Sequence, residues 1–208
     1  YLGQGRKEGA RKAADQLVWF ITICAVAITL LIYVCRYWIL HGVFGQIDAE
    51  VMGHANTYLL LVTASIPFIA LYNGGAAIFR TMGNSKISMR VSIVMNIINV
   101  TGNAILIYGV HMGTAGVAIP TLVSRIVAAV LIMVLLCDSR REISVTPSLN
   151  YRPDFMLIRK ILSVGIPNGL ENSMFQLGKI IVLSLVSTFG TYAIAANAVS
   201  NTLASFQV

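Results

Sequence analysis

Charged residues are scarce in this sequence, since Asp, Glu, Lys and Arg together make up 11% of its 208 residues. Soluble domains carry about 25% charged residues. Apolar residues reach 57%, and the mean hydropathy is +0.78. This composition excludes a soluble globular domain with a large core. It predicts an all-α integral membrane protein, because a helix satisfies its own backbone hydrogen bonds inside a bilayer.

Motifs for catalysis and for metal binding are also lacking. The three cysteines, Cys24, Cys35 and Cys137, lie in or beside apolar runs, with no CxxC spacing and no neighbouring histidine pair. They therefore predict neither a metal site nor a disulfide framework. The sequence has no nucleophile–His–acid set, no HExxH motif and no phosphate-binding loop. We expect no enzymatic activity and no resident cofactor.

Long apolar runs predict five membrane crossings and the start of a sixth. They lie at about residues 16–40, 55–79, 91–108, 115–137 and 168–189, with the last beginning near 193. Each complete run is long enough for a hydrocarbon core of about 30 Å. Pro67 predicts a kink in the second crossing. Because the chain starts at Tyr1 and ends in an apolar run, we expect it to be a piece of a longer protein.

The basic residues lie between the crossings. Twelve of the fifteen Lys and Arg residues fall in segments 1–14, 80–90 and 138–160, whereas segments 41–54 and 109–114 have none. This alternation predicts that the basic segments are cytoplasmic. It also argues against nucleic acid as the reason for the net charge of +7. In the last basic segment, Asp154 follows Pro153 and predicts a short amphipathic helix at the membrane interface, broken at residues 165–167.

One apolar run carries a polar stripe. Ser92, Asn96, Asn99 and Asn103 follow each other at i, i+4, i+7 and i+11, so they share one face of a helix. Such a face must contact protein or water rather than lipid. Two interpretations stay open, namely hydrogen bonding between packed helices and the lining of a transport cavity.

Other polar residues lie inside or near the predicted crossings. Thr121 and Arg125 are one turn apart. Either they form a polar wall opposite the asparagines, or Arg125 is held by backbone carbonyls. Glu171, Gln176 and Lys179 lie in the fifth crossing. A carboxylate there would bind a proton, a sodium ion or an organic cation, or would be neutralised by Lys179.

Taken together, six segments resemble the multidrug and toxic compound extrusion (MATE) transporters. Their order and spacing carry the resemblance: GQGRKEGARKAA at 3–14, AIFRTMGNSK at 77–86, NIINVTGN at 96–103, GVAIPT at 116–121, GIPNGLE at 165–171 and GTYAIAA at 190–196. The resemblance implies a twelve-helix, two-lobe fold. Residues 1–137 would supply helices three to six of the N-terminal lobe, 138–166 a cytoplasmic linker with the amphipathic helix, and 167–208 the start of the C-terminal lobe.

The resemblance also implies a function. Family members in the cell membrane exchange Na⁺ or H⁺ for drugs and other organic cations, and the missing helices of the same chain would complete the transporter. Their fifth-helix polar pair falls on Asn99 and Asn103, and Thr121 matches a sixth-helix position of the same site. The second asparagine is often Asp in the family, and Asn cannot titrate. Glu171 lies about one turn from the coupling Glu of a second subgroup, whose depth matches Phe175 and Gln176. A lipid-linked oligosaccharide or polysaccharide flippase of the same superfamily is the alternative.

Overall fold

A computed structural model describes residues 7–44, 49–138, 145, 154–187, 196, 197, 199 and 200. The described elements are all helical: α1 Lys7–Phe44, α2 Ala49–Ala64, α3 Ile66–Thr81, α4 Ser85–Ala104, α5 Thr114–Leu136 and α6 Phe155–Ser187. A π-helical turn, Ile105–Gly109, extends α4. The predicted all-α membrane fold is confirmed. The predicted start of a crossing near residue 193 lies largely outside the described residues.

Four predicted crossings coincide with helices that are long and apolar enough to span a membrane. These are Glu8–Trp38, Met52–Thr81, Ser85–Gly109 and Thr114–Leu136. The second combines α2 and α3, which are separated by a turn at Ser65. The Ser65 N–H donates to the Val62 carbonyl at 3.0 Å, and Pro67 follows two residues later. The predicted kink is therefore present as a break between two helices, since proline lacks a backbone donor.

The predicted break at residues 165–167 is wrong. Helix α6 continues through Gly165 and Pro167 to Ser187, so the amphipathic segment and the expected fifth crossing belong to one helix. A proline inside a membrane helix is tolerated where neighbouring groups compensate for its missing donor. The predicted start is confirmed, because Asp154 Oδ1 accepts from the Met156 N–H at 3.0 Å and from the next N–H at 3.2 Å.

Helix α6 is less apolar than the four spans, because Glu171, Gln176 and Lys179 lie within it. The fifth crossing therefore remains a prediction. The chain forms two compact units, Tyr1–Ile158 and Arg159–Val208. The predicted domain boundaries at 137 and 166 also remain predictions.

The core of the first unit lies where α1, α3 and α5 pack together. Phe79, Ile132 and Leu136 are fully buried there. A glycine makes this packing close, because a Cβ on Gly75 would lie 2.8 Å from Ile132 Cγ1. Helix α4 lies beside α5 and contributes Val91 to the same core. The polar stripe is thus carried by a helix whose partner, α5, is anchored in the core.

Candidate functional site

Helices α4 and α5 approach each other closely at a glycine. A Cβ on Gly102 would lie 2.8 Å from Pro120 Cβ and 3.1 Å from Pro120 Cγ. A Cβ on Gly116 would lie 3.5 Å from the carbonyl carbon of Leu106 at the π-helical turn, which is an ordinary van der Waals distance. Small residues let membrane helices pack at short distance. The polar side chains that flank Gly102 are thereby brought within hydrogen-bonding reach of α5.

Asn99, Asn103 and Thr121 form a hydrogen-bonded group, here called the polar cluster. Asn103 Nδ2 donates to Asn99 Oδ1 at 3.1 Å, and Asn99 Nδ2 donates to Thr121 Oγ1 at 3.1 Å. The Thr121 hydroxyl in turn donates to the Val117 carbonyl at 2.9 Å. The donors all point in one sense along the cluster, from α4 toward α5. Three of the residues predicted from the sequence are therefore brought together.

One side-chain oxygen of the polar cluster accepts no hydrogen bond from a described residue. Asn103 Oδ1 is buried and has no hydrogen-bond partner among the described residues. Buried polar atoms nearly always have a partner, and each exception calls for a physical explanation. An amide oxygen in this position accepts a hydrogen bond from water or ligates a cation. The polar cluster thus offers an acceptor, and its position on α4 is fixed by the Gly102–Pro120 contact.

The rest of the stripe is not part of the cluster. Asn96 is exposed, and within the described part of the chain it makes no side-chain hydrogen bond to Asn99, Asn103 or Thr121. Ser92 is half-buried two turns before the cluster. The interpretation as hydrogen bonding between packed helices is therefore confirmed for Asn99, which joins α4 to α5. The lining of a transport cavity remains a prediction.

Among the described residues, Arg125 forms no hydrogen bond with the asparagines or with a backbone carbonyl. Its Nη1 donates to Ser65 Oγ at 2.5 Å, and the Ser65 hydroxyl donates to the Val62 carbonyl at 2.6 Å. Ser65 is fully buried at the break between α2 and α3. The guanidinium thus ties α5 to the point where the second span loses its regular hydrogen bonding. Both sequence interpretations of Arg125 missed this partner.

The remaining predicted residues lie in the second unit. Glu171, Gln176 and Lys179 are exposed on α6, and Gln176 lines an open cavity of about 410 Å³. Lys179 Nζ lies 4.6 Å from the centroid of the Phe175 ring. Such a geometry is a cation–π contact. Among the described residues, no ion pair joins Lys179 to Glu171, so the predicted neutralisation of the carboxylate is not seen.

Sequence reasoning missed Ser65, Gly102 and Pro120. Ser65 had one available signal, because a hydroxyl two residues before a proline can cap the interrupted helix. Gly102 and Pro120 had a weaker one, namely a small residue among the asparagines and a proline one position before Thr121. Neither signal identifies the residue on the other helix.

Comparison with known proteins places these features in a family. The MatE family model matches residues 1–105. The chain is 27% identical to "Uncharacterized transporter YisQ" of Bacillus subtilis, over 99% of this chain and 46% of that protein. It is also 27% identical to "Multidrug export protein MepA" of Staphylococcus saprophyticus, over 76% of this chain and 35% of that protein.

A solved structure has the same fold. It is described as the "inward-facing conformation of a multidrug resistance MATE family transporter of the MOP superfamily", and it matches with a TM-score of 0.80 and 25% identity. The match covers 94% of this chain and 44% of that one. The chain therefore spans less than half the length of these relatives, which are described as transporters.

Proposed function

The chain belongs to the MatE family, whose model matches residues 1–105, and from this membership we propose that the full-length protein is a secondary active antiporter. It exports drugs or other organic cations in exchange for Na⁺ or H⁺ by alternating access. One relative named as a multidrug export protein and another named as a probable multidrug resistance protein support the export of drugs. The four spans make the chain a multi-pass membrane protein, and we place it in the cell membrane. Its partners are the bilayer, its organic cation substrates and the rest of its own chain.

The polar cluster is proposed as a site for the coupling ion. The observation that carries this role is the buried Asn103 Oδ1, an acceptor without a partner among the described residues. Asn99 Oδ1 and Thr121 Oγ1 are further oxygens in the same cluster. Oxygen donors of this kind suit a hard cation. Because an amide does not titrate, the cluster favours Na⁺ over H⁺ at this position.

Glu171 is proposed as a charged element of the transport path, in addition to the uncharged polar cluster. It is the acidic residue of α6 and is exposed in its own unit. An ionisable residue in a membrane segment usually faces a cavity or a substrate path. Its carboxylate suits an organic cation or a coupling ion, and Gln176 is a second polar residue five positions further along the same helix.

The alternative is a lipid-linked oligosaccharide or polysaccharide flippase of the same superfamily. Such a protein needs cations in its central cavity to hold a pyrophosphate. The two candidate cations already have neighbours. Ser65 Oγ binds Arg125, and the ring of Phe175 lies under Lys179. We therefore prefer the antiporter.

The experiment uses the full-length protein in proteoliposomes loaded with a fluorescent organic cation. A Na⁺ gradient and an H⁺ gradient are imposed separately, and efflux is followed by fluorescence. We expect efflux under the Na⁺ gradient. The variant Asn103→Ala should slow it by about 10- to 100-fold, since a hydrogen bond or ligand to a charged group contributes about 1.5–3 kcal/mol.

Thr101→Ala is the matched control. Thr101 is exposed two residues away on the same helix, so this variant should transport as the parent does. Undiminished efflux by Asn103→Ala would contradict the assignment of the ion to the polar cluster. No efflux under either gradient would contradict antiport and favour the flippase.

A further inference from the structure

A cavity lies between the first turns of α4 and the last turn of α5. Its volume is about 390 Å³, and its lining consists of Asn84, Lys86, Ile87, Arg90, Val91 and Leu135. These residues are far along α4 from the polar cluster, so the cavity is separate from the proposed ion site. The two helices run in opposite directions here, which places both ends at the same membrane face.

The cavity has a charged part and an apolar part. Lys86 and Arg90 are exposed and one turn apart, so they share one face of α4. Ile87, Val91 and Leu135 form the apolar part and belong to two membrane-spanning segments, Ser85–Gly109 and Thr114–Leu136. Two cations above an apolar wall at the edge of the hydrocarbon region complement a molecule with an anionic head and apolar chains.

No acidic residue of the same segment compensates the charges of the cavity. Segment 80–90 contains three basic residues and no Asp or Glu. Among the described side chains, neither Lys86 nor Arg90 forms an ion pair. After α5 the described residues are Cys137, Asp138 and Val145. Asp138 is half-buried and has an interaction partner of its own. Val145 is buried in the core, and its N–H donates to the Leu136 carbonyl at 3.0 Å. It does not line the cavity.

We propose that this cavity binds the phosphate head of an anionic phospholipid, with its acyl chains along Ile87, Val91 and Leu135. The basic segments mark this membrane face as cytoplasmic. Anionic lipids are concentrated in the cytoplasmic leaflet and are attracted by basic residues there. A lipid suits the cavity better than free phosphate because three of the six described lining residues are apolar and lie within spanning helices. The lipid would brace the helix pair that carries the polar cluster.

The test measures lipid retention by the full-length protein. The protein is reconstituted in nanodiscs of phosphatidylcholine with a minority of phosphatidylglycerol, and retained lipids are counted by native mass spectrometry after detergent extraction. We expect the parent to retain phosphatidylglycerol selectively. The double variant K86Q/R90Q should weaken retention by about 10- to 30-fold, as expected for two basic residues at a membrane surface.

Two controls separate the cavity from diffuse surface charge. Arg80 lies on the same membrane face and does not line the cavity, so Arg80→Gln should retain lipid as the parent does. The charge-conserving variant K86R/R90K should also retain it. Glycerol 3-phosphate, which has the head group without acyl chains, should fail to displace the lipid.

Three results would overturn the proposal. The first is equal retention of phosphatidylcholine and phosphatidylglycerol, and the second is an equal loss in R80Q and K86Q/R90Q. The third is displacement of the lipid by glycerol 3-phosphate, which would identify a soluble phosphate site. Unchanged retention in K86Q/R90Q would overturn it as well, because the retained lipid would then be bound away from this cavity.

Discussion

The close approach of α4 and α5 at Gly102 predicts that Gly102→Ala disrupts the polar cluster. The new Cβ would lie 2.8 Å from Pro120 Cβ, 3.1 Å from Pro120 Cγ and 3.7 Å from Pro120 Cα. Carbon atoms in contact are normally about 3.5–4.0 Å apart. The shortest contact is therefore about 1 Å too close. The proline ring is part of the backbone and cannot rotate away, so the helices must separate.

The size of this separation decides the effect. If α4 and α5 move apart by about 1 Å, the bond from Asn99 Nδ2 to Thr121 Oγ1 lengthens from 3.1 Å to about 4 Å, which is beyond hydrogen-bond range. The free energy of unfolding changes less, because overpacking costs about 1–3 kcal/mol while replacing a helical glycine by alanine gains about 1 kcal/mol. We expect a net loss of about 0–2 kcal/mol. Ion-coupled transport should fall by about tenfold or more, because displacing catalytic groups by about 1 Å costs up to about 100-fold.

The assay pairs transport in proteoliposomes with thermal stability measured by fluorescence-detected size-exclusion chromatography. Gly53→Ala is the control, because Gly53 is a helical glycine whose Cβ would meet nothing within 4 Å. This variant should keep parental transport and gain slightly in stability. Parental transport together with parental stability in Gly102→Ala would refute the reasoning from the α4–α5 contact.

Three further predictions concern other contacts. Asn103→Asp introduces a carboxyl that titrates, so efflux under an H⁺ gradient should appear or rise in the proteoliposome assay; an unchanged H⁺ response would count against ion binding there. Ser65→Ala should lower the stability of the parent by about 1–3 kcal/mol and should cost less in an Arg125→Met background. A double-mutant cycle measured by thermal unfolding tests this. Additive effects of the two substitutions would contradict the Arg125–Ser65 contact. Asp154→Ala removes the N-cap of α6 and should lower the free energy of unfolding by about 1 kcal/mol in thermal unfolding. Asp154→Asn should be close to neutral. Equal losses in the two variants would contradict the capping role.

Much of the fold was predictable because the relevant signals are local. Length and apolarity identify four spans, of which three are single helices and one is the α2–α3 pair. The largest difference from the expected bounds is at the first span, which begins at Glu8 rather than near residue 16. Asp154 marks the start of α6 because an N-cap needs one side chain and two neighbouring N–H groups. Pro67 marks a break between α2 and α3 because the missing N–H is likewise a property of a single residue. Pro167 shows the limit of that rule, because α6 passes through it unbroken.

Of the candidate site, the part on α4 was predictable from residue spacing, whereas its contacts with other helices were not. The spacing of Asn99 and Asn103 places them on a common face of α4, which is a property of a single helix. Thr121 was placed opposite the asparagines as one of two interpretations of the sequence, and only the family resemblance assigned it to the same site. The partner of Arg125 lies 60 positions away in the sequence, and a contact of that kind depends on how three helices pack. The lack of a partner for Asn103 Oδ1 also depends on which groups pack around it, and helix packing decides this.

The central claim is that the polar cluster couples Na⁺ entry to export of an organic cation. Radioactive sodium uptake into proteoliposomes of the full-length protein tests it most directly, with the organic cation loaded inside and no other gradient. The account predicts sodium uptake that depends on the organic cation, that is preserved in Thr101→Ala and that is lost in Asn103→Ala. Sodium uptake that persists in Asn103→Ala, or export of the organic cation without sodium uptake, would contradict it.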